Sequence, residues 1–381
     1  MKKVIYVSSG RLTDKVATDW HIDYLIERGA QVEYWDIVAL VREEHVERGA
    51  RNPQWLRVFR SFNEFEARLL QPENRDALYI MLMSYGGRLT RVFRLLSKHN
   101  CRMVRFASGA LPLDPVYKWR KIVAWLRTPG DCAKEIASRL KATALRRLKL
   151  VKPFAITFAA GDLAKNGNDA DRVVPINFFD YDSYVKAKSS RGCRIVTGRY
   201  AVFLDCYLPY HSDLAFVGYQ PIDAGSYYRS LNRFFGLLER AYGVRVVIAA
   251  HPRAAYESAT FEGRPVHRLV TAELVRDAEF VLSHTSTAMS FAVLNAKPLI
   301  FIYTDGMAAT YERSLIRQMH CYADCLDAPV YNIDEISDGH AVAVERVNLA
   351  CYERYKYDFL TSRQSENAST QEIFWQEIHA H

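Results

Sequence analysis

The stretch Phe280–Tyr303, FVLSHTSTAMSFAVLNAKPLIFIY, constrains the fold more than any other part of the chain. An apolar run (Phe280, Val281, Leu282) breaks into a hydroxyl cluster of Ser283, Thr285, Ser286 and Thr287. An apolar segment of helix length follows, Ala288–Ala296, then Lys297-Pro298 and a second β-branched and aromatic run, Leu299–Tyr303. Strand, loop, helix and strand in that order predict a βαβ unit, and with it a parallel sheet. Ser and Thr ahead of the helical segment supply N-cap chemistry at the positive end of its dipole. Such a loop caps its helix, and it also makes an anion site that suits phosphate.

A second loop of the same kind lies upstream. Val244–Ala250, VRVVIAA, reads as a buried strand and runs into His251-Pro252-Arg253. Strands of a parallel sheet end on one edge, and ligands bind in the crevice outside it. His251–Arg253 and Ser283–Thr287, with His284 among them, are therefore expected around one crevice. An imidazole, a guanidinium and a hydroxyl-tipped helix suit a diphosphate or phosphodiester.

The first half repeats the pattern with smaller residues. Lys3–Val7 is an apolar strand, Ser8-Ser9-Gly10 a turn, and about Lys15 to Arg28 a helix with Gly29 as its C-cap. Gln31–Trp35 is the next strand, so a Rossmann-like sheet begins here, although no G-x-G-x-x-G fingerprint marks a dinucleotide. Asn52–Leu70 reads as helical. Ala77–Met83 reads as a strand ending in Ser84-Tyr85-Gly86-Gly87, and Arg102–Ala107 as one ending in Ser108-Gly109. These Ser/Gly turns should line one crevice. Phe154–Phe158 and Val173–Ile176 are the last strands of this half, and the charged stretch Lys186–Gly192 is the candidate linker.

The expected fold is α/β, with two Rossmann-like domains at 1–188 and 189–381. Arg199–Leu204 opens the second domain and ends in Asp205, with Tyr207, His211 and Asp213 beyond. Asp205 is the first candidate for a catalytic base, followed by Asp14, Asp19 and Asp182; His211 is the alternative acid or base.

At 381 residues, 49% apolar and 25% charged, the chain can bury sizeable cores. No run of apolar residues is long enough to span a bilayer, and MKKVIYVSSG reads as a first strand, not a secretory signal. Seven scattered cysteines without a CxxC pair point to a reducing cytoplasm and away from a zinc site. Asp180-Tyr181-Asp182 is the nearest imitation of a metal-binding DxD, but it falls at the domain boundary. No metal and no cofactor is expected.

The formal charge of +8 is local. Lys118–Lys152 carries eleven Lys/Arg against Asp131 and Glu135. Within 116–152, Trp119, Ile122, Val123 and Leu126, then Ala133, Ile136, Ala137 and Leu140, recur at helical spacing. Basic helices with an apolar stripe and tryptophans suit an anionic membrane surface; the plainer alternative is a solvated basic face. No nucleic-acid motif accompanies the charge, so nucleic acid is not expected as a partner.

A His-Pro after a strand, an apolar strand ending in a Ser/Thr pair, and then a Lys-Pro strand resemble the donor half of GT-B glycosyltransferases. Over Tyr200–Asp305 the chain is most similar to bacterial sialyltransferases and capsule-type Kdo and polysialic acid transferases. The resemblance implies that His251, Ser286 and Thr287 contact a nucleotide phosphate, with the rest of His251–Arg253 and Ser283–Thr287 around the donor. It implies a CMP-linked acidic sugar (sialic acid, Kdo or a related nonulosonate) and a donor domain at 189–381 facing an acceptor domain across a cleft. Ser8, Ser9, Gly10, Ser84, Gly86, Gly87 and Asp182 fall on the acceptor side, and a terminal helix crosses back to the first domain. The acceptor is then a glycan or lipid-linked glycan of bacterial capsule or lipopolysaccharide. The protein would be cytoplasmic, or peripheral on the inner membrane.

The family's acidic-acidic-glycine motif is missing from the first half, which leaves donor and base open. A UDP-sugar transferase, a nucleotide-sugar 2-epimerase and a non-catalytic nucleotide-sugar or polyanion binding protein stay as alternatives. The epimerases normally carry acidic residues and glycines where this chain has His284–Thr287.

Overall fold

The computed structural model describes residues 3–41, 51–86, 89–107, 112, 129–165, 170–190, 194–211, 219–257, 259–311 and 315–380. The chain folds into two compact units. One comprises Met1–Ala110, Val116–Phe179 and Thr361–His381, and the other Leu111–Pro115 and Asp180–Leu360.

The first unit is built on strands β1 (Val4–Ser8), β2 (Val32–Asp36), β3 (Leu56–Val58), β4 (Leu78–Met81), β5 (Arg102–Ala107), β6 (Phe154–Ala160) and β7 (Ala170–Ile176). They pair in the order β3-β2-β1-β4-β5-β6-β7. The second unit carries β8 (Tyr200–Leu204), β9 (Arg245–Ala249), β10 (Val266–His267), β11 (Val281–Ser283), β12 (Leu299–Tyr303) and β13 (Val330–Asn332), ordered β10-β9-β8-β11-β12-β13. Every pairing in both sheets is parallel. Strands β1, β8 and β11 are buried along their whole length, as a sheet covered on both faces requires. In each sheet the first strand is central and the winding reverses beside it. The β1/β4 and β8/β11 gaps are therefore the switch points at which doubly wound sheets take ligands.

Several local expectations change. The helix predicted from Lys15 to Arg28 is two helices, Asp14–Asp19 and Ile22–Glu27, broken where His21 turns left-handed at φ 57°. Tyr6 holds the break by donating its hydroxyl to the Trp20 carbonyl at 2.8 Å. Asn52–Leu70 contains the edge strand β3 and a helix only over Phe62–Leu69, where Ser61 accepts from the Glu64 N–H. β3 is three residues long and mostly exposed, so it leaves no alternating pattern to read.

The stretch expected to begin the linker is instead a helix, Tyr181–Ser189. Arg276 on the helix Thr271–Asp277 binds its end, donating to the Ala187 carbonyl at 2.5 Å and the Ser190 carbonyl at 3.2 Å. The units accordingly divide at 179/180, ahead of 188/189. Of the basic segment 116–152, residues 116–128 lie outside the described residues, as does Gly87; Pro129–Arg147 is a single helix.

The C-terminal helix Thr370–His379 belongs to the first unit. Tyr24 donates to its Glu372 at 2.7 Å, and Phe374 packs on Phe106 and Phe158 at ring separations of 5.1 and 5.2 Å.

The second unit's long helix, Ala224–Tyr242, is crossed closely by the turn Gly339–Ala341. A Cβ at Gly339 would meet the Leu237 carbonyl oxygen and come within 2.8 Å of Ala241 Cβ. Backbone cannot yield there as a side chain would. Gly339→Ala is expected to lower stability by roughly 1–3 kcal/mol, read as a fall in the urea midpoint; an unchanged midpoint would show that the crossing is slack.

Candidate functional site

The second unit's switch point is organised by the residues that follow β8. Leu204 sits in register with Ala249 on one side and Ser283 on the other. Neighbouring strands lie about 4.8 Å apart, so the His251 and Ser283 loops leave the sheet about 10 Å from each other, on either side of Asp205 and Cys206.

The Asp205 carboxylate is 4% exposed and accepts three hydrogen bonds. The Tyr207 N–H reaches Oδ1 at 2.8 Å, the His251 N–H reaches Oδ2 at 3.0 Å, and the Tyr256 hydroxyl also binds Oδ2. Burial pushes its pKa above the usual carboxylate range, while these hydrogen bonds pull the other way. Asp205 therefore ties these loops together.

Cys206 faces the other side. Its thiol lies near the Thr285 N–H and the Ser286 hydroxyl, and burial pushes its pKa up to about 12, which keeps it protonated at neutral pH. Asp205 thus holds the His-Pro loop, and the next residue sits beside the hydroxyl loop.

Within the first loop the His251 carbonyl accepts from Ala254 N–H at 2.9 Å, closing a tight turn. Its ring Nδ1 accepts from the Arg253 N–H at 3.2 Å, so Nε2 carries the ring proton and is the donor this side chain offers. Pro252 and Arg253 are exposed. His211 stacks obliquely on His251, with ring centroids 5.5 Å apart. It follows the short turn Leu208–Tyr210, entered through Tyr207 in a left-handed conformation at φ 50°. Such a conformation in a bulky residue is held by its surroundings, here the Asp205 bond. Tyr207 lies beside Tyr210, ring centroids 5.1 Å apart, and Tyr210 is 58% exposed. Asp213 lies outside the described residues.

The hydroxyl loop splits into two classes. Thr285 and Ser286 are partly exposed and Thr287 is exposed. Ser286 caps the turn Thr287–Met289 by accepting from the Ala288 N–H at 3.3 Å. Ser283 and His284, also expected at the donor, are fully buried. The His284 Nδ1–H donates to the Ile302 carbonyl at 2.5 Å, and Nε2 accepts from the Tyr227 hydroxyl at 2.9 Å. The Ser283 hydroxyl finds no partner among the described residues. Both are packed in the core. The helix behind the loop is also shorter than expected, a 3-10 turn and then only Ser290–Leu294, so the dipole contributes less than the loop's own N–H and O–H groups.

The first unit's candidates sit at its own switch point. Ser8 ends β1, and its hydroxyl accepts from the Gly10 N–H at 3.0 Å, an ordinary turn that also includes Ser9. Tyr34 donates to the Gly10 carbonyl at 2.8 Å. Ser84 and Gly86 follow β4, the neighbouring strand, and Gly86 takes φ 143°, a conformation that favours glycine. Asp182 is not among them; it lies in the Tyr181–Ser189 helix of the second unit. Asp14 and Asp19 are ion-paired with Arg51 at 3.2 Å and Lys15 at 2.7 Å. Among the described residues, no group of three His, Cys, Asp or Glu side chains is placed to hold a metal.

No family model matches the sequence, and no curated protein does. Among solved structures, the calicheamicin glycosyltransferase CalG4 is similar over 100% of this chain and 98% of its own, at 12% identity and a TM-score of 0.54. A UDP-GlcNAc 2-epimerase from Methanocaldococcus jannaschii, solved with UDP-GlcNAc and UDP, covers 100% of this chain and 99% of its own at 11% identity and a TM-score of 0.48. The two parallel sheets and the CalG4 likeness define a GT-B fold.

Buried His284 gives a pH test of this core. Burial lowers it from 6.5 to about 4, so the unfolded chain takes the proton first as pH falls. The stability it contributes is complete above pH 6.5 and declines towards pH 4, by up to about 3 kcal/mol. In urea titrations at stepped pH, His284→Gln should show a shallower loss than wild type across that window. Parallel curves would refute the assignment.

Proposed function

We propose that the protein is a nucleotide-sugar-dependent glycosyltransferase whose donor phosphate rests on the carboxyl edge of the second sheet. The observation that supports it most is the hold of Asp205 on the His251 loop, with the Thr285–Ser286 loop leaving the neighbouring strand on the other side of the switch point. His251 Nε2–H, the Arg253 guanidinium and the Ser286 and Thr287 hydroxyls are the groups offered to the phosphate. Transfer requires that a departing phosphate be stabilised and that an acceptor hydroxyl lose its proton. The first task falls to those donors. His211, beside His251 and partly exposed, is the candidate for the second. Exposed Tyr210 offers an aromatic face for a base or sugar ring.

The favoured donor is a CMP-linked acidic sugar, on the strength of the His-Pro and Ser/Thr motifs; a UDP-sugar fits the same edge. Neither needs a resident metal in this scheme. The Ser8–Gly10 and Ser84–Gly86 turns are the acceptor-side candidates for a glycan or lipid-linked glycan of a bacterial surface polysaccharide. A lipid-linked acceptor would have the protein work at the cytoplasmic face of a membrane.

A panel of CMP-, UDP- and GDP-sugars tests the reading. Slow hydrolysis of one sugar nucleotide is expected; an isomerised sugar would indicate an epimerase, and binding without turnover a carrier. With the nucleotide so identified, His251→Ala and Ser286→Ala should each weaken its binding by ~1–3 kcal/mol, the size of a lost charge-assisted hydrogen bond. Ser283→Ala should leave affinity unchanged. Equal affinities in all three variants would sink the donor assignment.

A further inference from the structure

The helix Pro129–Arg147 carries two apolar faces where a helix packed on a sheet needs one. The inner face is accounted for: Ala142 and Leu145 are buried, and Leu145 joins the first unit's core with Phe93, Val151 and Phe154. On the outer side Ala137, Leu140, Ala144 and Leu148 follow at i, i+3, i+7 and i+11, and all four are exposed. Such spacing draws a continuous stripe along a helix. Leu140 and Leu148 are 65% and 68% exposed, and Leu150 just beyond is 47% exposed.

Cations border the stripe. Lys141, Arg147 and Lys149 are all exposed, and residues 137–152 contain no Asp or Glu. Water offers nothing to three leucines so displayed. A partner both apolar and anionic satisfies the leucines and the cations together, and that combination is the surface of an anionic bilayer.

The helix end adds an independent observation. Leu150 N–H returns to the Leu145 carbonyl at 2.9 Å and Lys149 N–H to the Arg146 carbonyl at 2.9 Å, the pattern that closes a helix through a left-handed residue. Lys149 is that residue, at φ 55°, in a position that favours glycine. A cation stands there against local conformational preference.

This helix is also fastened to an acceptor-side turn of its own unit. Tyr85, between Ser84 and Gly86, donates its hydroxyl to the Ala142 carbonyl at 2.9 Å. The Arg146 guanidinium lies over the Tyr85 ring, 4.3 Å from its centroid. We propose that the outer face of this helix docks on an anionic phospholipid bilayer, and through Tyr85 holds the Ser84–Gly86 turn near the headgroups. Docking does not depend on the glycosyl-transfer reading; its bearing on the acceptor does.

The test is flotation of the full chain with vesicles of phosphatidylcholine, alone or containing one-third phosphatidylglycerol. Binding is expected only with phosphatidylglycerol and should weaken as salt rises. Leu140→Gln/Leu148→Gln should lose about tenfold or more in vesicle affinity. Lys149→Gly should lose about fivefold while keeping or raising the melting temperature, because glycine suits the left-handed position. A merely structural lysine would give the stability change without the loss of binding. Docking is overturned by failure to float at low salt, or by wild-type binding in both variants. It is overturned equally by a double-variant-sensitive dimer, or by DNA binding, without vesicle binding. Sugar-nucleotide affinity, measured in parallel, should be unchanged in both variants, which separates this result from the fate of the donor site.

Discussion

A carboxylate sealed from water needs donors, and Asp205 draws its three from two loops and an aromatic side chain. Removing any one leaves buried charge uncompensated, a cost larger than the worth of an average hydrogen bond. The geometry of the His-Pro turn, the left-handed Tyr207 and the placement of His211 all follow from that requirement. A parallel sheet fixes where strands end, but not how the chain leaves them. Here the departure from β8 is fixed by a buried side chain.

The same logic explains why the site draws on three strand ends and not two. A switch point opens one gap, between β8 and β11. The His251 loop follows β9, on the far side of β8, and Asp205 binds its first N–H, while Cys206 lies beside the hydroxyl loop. The two loops are therefore arranged around one dipeptide. Preorganisation of this kind, with donors fixed before charge develops, is where electrostatic stabilisation gains most of its effect.

Much of this was legible in the sequence. Buried parallel strands are continuous apolar runs, so β8, β9, β11 and β12 and their polar ends could be read directly, and with them the shared edge. Polarity alone did not separate the residues at that edge. Ser283 and His284 look like Thr285 and Ser286 on paper; the fold buries the first pair and exposes part of the second. His284 is a core residue because Tyr227, 57 positions away, supplies its second partner, a pairing no local pattern encodes. Asp205 was legible as a strand end but not as a tie, since Tyr256 lies in an irregular loop with no periodic signal. The short exposed strand β3 and the left-handed break at His21 were lost for the same reason: each depends on tertiary partners and not on spacing.

The positive charge of the chain divides into two parts that act over different ranges. At the carboxyl edge of the second sheet, the His251 Nδ1 accepts from the Arg253 N–H, and Arg253 is the fixed cation. Such a site acts at contact distance, where geometry decides and dissolved salt matters little. The outer face of the Pro129–Arg147 helix reverses those terms, with several cations, no carboxylates within 137–152 and few fixed partners. Its attraction extends over about a Debye length, ~8–10 Å at physiological salt, and is indifferent to stereochemistry. The two proposals call on different kinds of charge, and the chain carries them in different places.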